Sequence, residues 1–178
     1  MKLIDLKISE YLDMLLAGAF VPGEGCVSGL AGAQAAALLY RTADSLIREE
    51  AEGCDRTELE NVRKEAERLY MDIAGAMEEN TEESSARIME AALSGLKKAE
   101  KISRCSHRQG SADLGAAAAN FIAALRGAWI DILREEGQGD ENAENNNISK
   151  GRQLLEEGEK AAGTIYGEAE KRLMKERI

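Results

Sequence analysis

The sequence predicts an all-α protein, a bundle of about five or six helices, on three observations. There is one proline in 178 residues, only 4% of them aromatic, and Ala, Leu, Glu, Lys and Arg are abundant, a composition that favours helix. No segment keeps up the apolar and polar alternation of a strand. Apolar residues instead recur three and four apart along most of the chain.

The elements follow in order. Leu3, Ile4, Leu6, Ile8, Tyr11, Leu12, Leu15 and Leu16 recur at helical spacing between residues 3 and 18 and predict an amphipathic first helix, which AGAFVPGEG stops. A second helix is expected from about Ser28 to Glu50, ended by EGCD, and a third from about Arg56 to Glu79, carrying Leu59, Val62, Ala66, Leu69, Tyr70 and Ile73. Asn80 and Thr81 offer capping oxygens to a fourth helix running from about Thr81 to Ile102, either separate or a kinked continuation of the third. SRCSHRQGS reads as a turn, followed by a long helix from about Ala112 to Glu136. GQGDENAENNN, through residue 147, is expected as a mobile loop. The last helix, from about Ile148 to the end, has sparse apolar positions (Leu154, Leu155, Ala161, Ala162, Ile165 and Leu173) and should pack on one side only. No repeat and no sustained heptad is evident, and the length suits one domain spanning 1–178.

Charge and cysteine usage narrow the partners. There are 23 basic and 33 acidic residues, a net charge of −10, and no basic block, so nucleic acid and anionic membrane surfaces are poor partners. Cys26, Cys54 and Cys105 are odd in number and widely spaced, and only one histidine accompanies them. They read as free thiols in a reducing compartment, with no metal set. The start MKLIDLKISEYL lacks a signal-peptide core, and no span of about 20 strongly apolar residues stands out, so a cytoplasmic location is expected.

Two stretches are unusually rich in small residues, 28–39 and LGAAAANFIAALRGA at 114–128. Small side chains let a neighbouring backbone come closer than the roughly 8 to 10 Å that larger residues impose. Two such helices should cross each other, or cross their copies in a homodimer. In the preceding loop, VPGEG, Pro22 fixes its own φ, Gly23 and Gly25 permit positive φ, and the first N–H groups of the next helix lack intrahelical acceptors. Those donors suit a carboxylate or a polar heterocycle, and an ordinary interhelical turn has the same composition. No GK[ST] follows, so the loop is not a Walker A motif.

PGEGCVSGLAGAQAAALLYRTADSL resembles the PGGGSVAALAGALAAAL signature of the cyclodeaminase/cyclohydrolase family. SADLGAAAANFIAALRGAWIDIL is similar to that family's SDAGVAA…AALRGAxxNV segment, and YMDIAGAM around Asp72 is more loosely similar to its DAxAFxxVM segment. The resemblance implies an all-helical homodimer acting on a one-carbon-substituted tetrahydrofolate, with no further cofactor. The implied reaction is closure of 5-formiminotetrahydrofolate to 5,10-methenyltetrahydrofolate with loss of ammonia (a lyase), or hydrolysis of the methenyl form (a hydrolase). The chain departs from the pattern: Glu24 replaces the middle glycine, Cys26 a serine, and Asp44 and Asp131 two asparagines. A helical stretch of the family is also missing where AMEENTEESSARIM moves on at once.

Ring closure needs N10 to attack the formimino carbon, a proton to leave N10 and another to reach the departing amine. The candidates in or beside the matched segments are Asp113, Asp72 and His107. Each has a plainer alternative: Asp113 as a helix cap, Asp72 as an acid on a solvated face, His107 as a surface histidine in a turn. Pro22, Gly23, Glu24, Gly25, Cys26 and Arg126 are the ligand-binding candidates. Glu24 would repel a ligand's glutamate tail. Cys26 is either a thiol activated by a helix N-terminus or a small buried residue. Arg126 is expected in a largely buried helix, where it needs an anion: Asp44, Asp113, Glu24 or a ligand carboxylate. Arg41 poses the same question, and Trp129 and Tyr40 either stack on a pterin or belong to the core. The enzyme reading requires the Pro22 corner to lie beside the Asp113 end, within a subunit or across a pair. The alternative is a divergent, non-catalytic helical dimer that binds a small molecule or serves assembly.

Overall fold

A computed structural model describes residues 5–18, 25–79, 81, 83–105, 108–136 and 141–175. Six helices account for most of them: α1 (Ile8–Leu16), α2 (Cys26–Arg48), α3 (Arg56–Glu79), α4 (Ser84–Ser103), α5 (Arg108–Glu136) and α6 (Glu141–Lys175). No strand occurs among the described residues, so the all-α prediction holds.

Local chemistry explains the starts. Glu10 accepts the Lys7 backbone N–H at 3.1 Å ahead of α1, and Asp55 accepts the Thr57 N–H at 2.9 Å ahead of α3. The Ser84 hydroxyl accepts the Thr81 N–H at 3.0 Å, which makes α4 a separate helix, starting three residues later than predicted. α2 begins at Cys26 behind Gly25, which holds φ 81, a left-handed conformation that suits glycine. The predicted loop over 137–147 is corrected for most of its length, since α6 is already helical from Glu141. Asn and Gly lower helix propensity by less than about 1 kcal/mol each, so a strongly packed continuation can carry such a segment.

α2 lies between α3 and α5, α5 packs against α2, α4 and α6, and α4 also touches α3 and α6. The core includes Leu39, Ile73, Met89, Leu96, Phe121 and Ile165, all fully buried. Burying each such side chain favours the fold by about 1.5 to 3 kcal/mol. The two small-residue helices do cross each other within the subunit. A Cβ on Gly32 would lie 3.3 Å from the Ala124 Cβ and 3.1 Å from Ile73 Cδ1, and one on Gly127 would meet the Ser28 hydroxyl. Rising numbers on α2 therefore match falling numbers on α5, so the pair runs antiparallel.

Three further expectations meet the structure as follows. α1 buries Tyr11, while Ile8, Leu12, Leu15 and Leu16 are exposed. Cys54 and Cys105, expected as free thiols, form a disulfide with Cα atoms 5.5 Å apart, and Cys26 stands outside that bond. The turn after α2 and the end of α4 meet at one end of the bundle, a proximity that 51 residues of intervening sequence conceal. Finally, among the described residues one helix, Arg108–Arg134, is by length and composition alone apolar enough to cross a membrane. In this fold its Leu114, Phe121 and Leu125 are core residues packed within the bundle.

Candidate functional site

The antiparallel α2 and α5 pair carries a polar group at each end. At the first end, a Cβ on Gly25 would lie 3.5 Å from Ser85 Oγ and 4.0 Å from Asp131 Oδ2. Cys26 is 2% exposed, with Sγ 3.9 Å from the Met77 carbonyl oxygen. Burial, and then the Asp131 carboxylate, push its thiol above the ordinary value. The thiol is therefore neutral near pH 7, which corrects the possibility of a helix-activated thiolate. Burial and the proximity of Cys26 likewise raise the Tyr11 phenol.

At the second end, Arg41 of α2 meets Asp113 of α5. The guanidinium donates from Nε at 3.2 Å and Nη2 at 2.5 Å to the two carboxylate oxygens, and Gln109 donates to the same carboxylate at 3.4 Å. The Asp113 side chain is 13% exposed and that of Arg41 59%, so a well-covered carboxylate is held by a cation that still faces solvent. Forked pairing of this kind fixes both position and plane. The two ends do not meet within one chain. Fifteen residues of α2 separate Cys26 from Arg41, which is about 22 Å at 1.5 Å per residue. Within the single subunit the described start of α2, Gly25 and Cys26, thus lies away from the Asp113 end, because the helices are antiparallel, and Pro22 itself lies outside the described residues.

The other predicted residues fall as follows. Asp72 lies on the solvated face of α3, its side chain 55% exposed and 4.0 Å from Arg68. His107, Pro22, Gly23 and Glu24 lie outside the described residues. Arg126 is corrected most clearly. Its side chain is 62% exposed and pairs with Glu159 of α6 at 2.7 Å, because it stands on the outer, not the inner, stripe of α5. Asp44 is taken by Arg63 at 3.1 Å and Arg48 at 3.0 Å. Trp129 packs against the core beside Gly151. Tyr40 lines a hollow of about 240 Å³ with Tyr70, Ala36, Ala37, Ala66 and Glu67. Sequence reasoning named Arg41 only as a cation in need of an anion, and did not assign Gln109, Ser85 or Asp131 to a site. Gln109 and Asp113 stand four residues apart, a helical neighbour spacing that was the available signal.

A groove of about 620 Å³ runs beside the first turns of α5, between Arg108, Ser111 and Ala112 on one side and Tyr166, Leu173 and Met174 of α6 on the other. That volume is ample for a small molecule. Among the described residues, no group of three or more His, Cys, Asp or Glu is placed to hold a metal ion.

No protein-family model matches the sequence, and no curated protein matches it either. Among solved structures, the crystal structure of formiminotetrahydrofolate cyclodeaminase from Thermotoga maritima is similar in fold. Its TM-score is 0.75 at 16% identity, over 99% of this chain and 100% of that one. The shared fold runs the length of both chains despite the shortening expected after Met77.

Proposed function

We propose that the protein is a folate one-carbon enzyme that closes 5-formiminotetrahydrofolate to the 5,10-methenyl form with release of ammonia, or hydrolyses the methenyl form. One observation carries the reading. The fold of a formiminotetrahydrofolate cyclodeaminase extends over the whole chain, and the segment that resembles that family's second motif holds Asp113 in a fixed, oriented pose. In this reading Asp113 accepts the N10 proton as the ring closes, and Arg41 and Gln109 hold its carboxylate in plane.

The working unit is a homodimer. Leu30, Gln34 and Ala37 of α2 and Ala119, Ala123 and Ile130 of α5 are exposed, uncharged positions that flank the exposed Arg126 on a chain of net charge −10. Surfaces of this kind mark association sites. Two copies joined by a twofold axis near Gln34, with their α2 helices antiparallel, set the Gly25–Cys26 end of one protomer opposite the Arg41–Asp113 end of the other. The site is then shared across the pair.

A second reading is a non-catalytic dimer on the same scaffold. It is favoured by Asp72 lying in solvent and by Asp113 and Asp44 already being neutralised by arginines. The test is absorbance of the methenyl chromophore after adding 5-formiminotetrahydrofolate, and separately methenyltetrahydrofolate, to the purified chain. Turnover that Asp113→Asn abolishes supports the enzyme. A folded dimer that neither turns over nor binds either compound supports the second reading.

A further inference from the structure

We infer that Cys54 and Cys105 form a reversible two-electron thiol switch that locks or releases the end of the bundle carrying Arg41 and Asp113. Cys54 lies in the turn between α2 and α3, and Cys105 stands two residues beyond the end of α4. Their bond ties two inter-helix connections at one end of the molecule. Cys54 is six residues beyond the end of α2 and Cys105 three residues before the start of α5, the two helices that supply Arg41 and Asp113.

The turn that Cys54 holds is conformationally costly. Glu50 has φ 48 and Gly53 φ 76, and a left-handed glutamate persists only where its surroundings impose it. The disulfide is one such constraint. Its loss frees the turn to relax, and the end of α2 with it.

The chemistry is accessible in both directions. Both cysteines are half-buried. An open hollow of about 220 Å³, lined by Leu46, Ile47, Glu50, Ala51, Arg56 and Leu59, adjoins Cys54 and has room for a small thiol. Oxidation takes two exchange steps with a low-molecular-weight disulfide such as glutathione disulfide. The thiolate of one cysteine attacks it, forming a mixed disulfide and releasing one small thiol. The second cysteine then displaces the other small thiol. Two electrons pass from the cysteines to the small disulfide, and the two cysteine protons end on the two thiols released. The reduced state is also accommodated, because Cys54 Sγ lies 3.4 Å from the Cys105 carbonyl oxygen and Cys105 Sγ 3.5 Å from that of Ile102. Each thiol then has an acceptor at hand. Cys26, buried and distant in sequence, takes no part.

The consequence for catalysis rests on the folate reading above, whereas the locking does not. The test equilibrates the full chain in glutathione buffers from fully reduced to fully oxidised, traps free thiols by alkylation, maps peptides by mass and follows hydrogen exchange. The expected result is a single two-electron transition linking the Cys54 and Cys105 peptides. Amides of 50–57 and 108–113 exchange at least tenfold faster in the reduced protein through local opening that low urea does not enhance, whereas those of 59–77 change only by the drop in global stability, which urea does enhance. Cys54→Ser exchanges like the reduced protein in every buffer. Three alkylatable thiols persisting at the oxidised extreme of the buffer series, or a disulfide that forms without altering exchange, overturns the inference. A change in exchange with no methenyl turnover in either state leaves the switch standing and removes the folate reading.

Discussion

Arg41 on α2 grips both carboxylate oxygens of Asp113 on α5, at 3.2 and 2.5 Å, across the antiparallel contact of the two small-residue helices. The pair joins residues 72 apart in sequence and makes Asp113 the better covered of the two carboxylates among the catalytic candidates, Asp72 being more than half exposed. Replacing Asp113 by Asn keeps its size and removes its charge. Urea titration should then show a loss of about 1 kcal/mol, since one partner of the pair is more than half exposed. Methenyl formation should fall at least a hundredfold. Arg126→Ala, which removes an exposed partner of Glu159, should shift stability by less than about 0.5 kcal/mol. Comparable damage from both variants would remove the distinction between the two arginines.

Cys26 makes stability depend on pH in a defined direction. Its thiol titrates above the ordinary 9.0 in the folded chain, so the native state holds the proton more tightly than the unfolded state. Stability from this group is complete below the unfolded value and is lost as pH rises through the folded one. Tyr11, raised above 10.0, acts the same way at higher pH. The urea midpoint should therefore decline from about pH 8.5 upward, and less steeply in Cys26→Ala. Equal slopes for the two proteins would show that burial at this position does not govern the thiol.

Close approach separates two glycines that look alike in the sequence. A methyl on Gly127 would collide with the Ser28 side chain, with Ser28 Cβ at 3.2 Å, whereas one on Gly163 would meet nothing within 4 Å. Gly127→Ala should destabilise by about 1 to 3 kcal/mol through overpacking. Gly163→Ala should stabilise by roughly 0.5 to 1 kcal/mol through helix propensity alone. Thermal or urea unfolding of the two variants reads the contrast directly.

The helices were legible because apolar spacing and breaker residues are local. What was not legible is long-range. Periodicity marks which face of α2 and α5 is apolar but not which way the helices run past each other, and that direction places Cys26 and Arg41 at opposite ends. Alanine hides exposure in the same manner. The Ala116, Ala119 and Ala123 stripe of α5 reads as buried, yet it is exposed, so Arg126 was expected to need a buried anion and instead meets Glu159 in solvent. The Cys54–Cys105 bond was hidden by separation alone. Closing a loop of that span, 51 residues, is worth about 4 kcal/mol in the chain-entropy account. Unfolding midpoints with and without reductant should differ accordingly, and Cys54→Ser should show no difference.

The exposed alanines of α2 and α5 supply the last prediction. On a chain with 33 acidic residues, a face whose exposed side chains include Leu30, Gln34, Ala37, Ala119, Ala123 and Ile130 lets two copies meet without setting carboxylate against carboxylate. Along α2, Leu30 to Arg41 spans about 16 Å, and along α5, Ala116 to Ile130 about 21 Å, at 1.5 Å rise. Two neighbouring helices of that reach offer several hundred Å² per protomer, approaching the roughly 800 Å² of a standard interface. Sedimentation should give a dimer for the natural chain. Ala123→Glu, which points an acid outward from an exposed position, should give a monomer with unchanged helical circular dichroism. If the site is shared across the pair, that monomer loses folate turnover as well, although Arg41 and Asp113 remain paired within it. A monomeric natural chain that still turns over folate would place the whole site within one subunit.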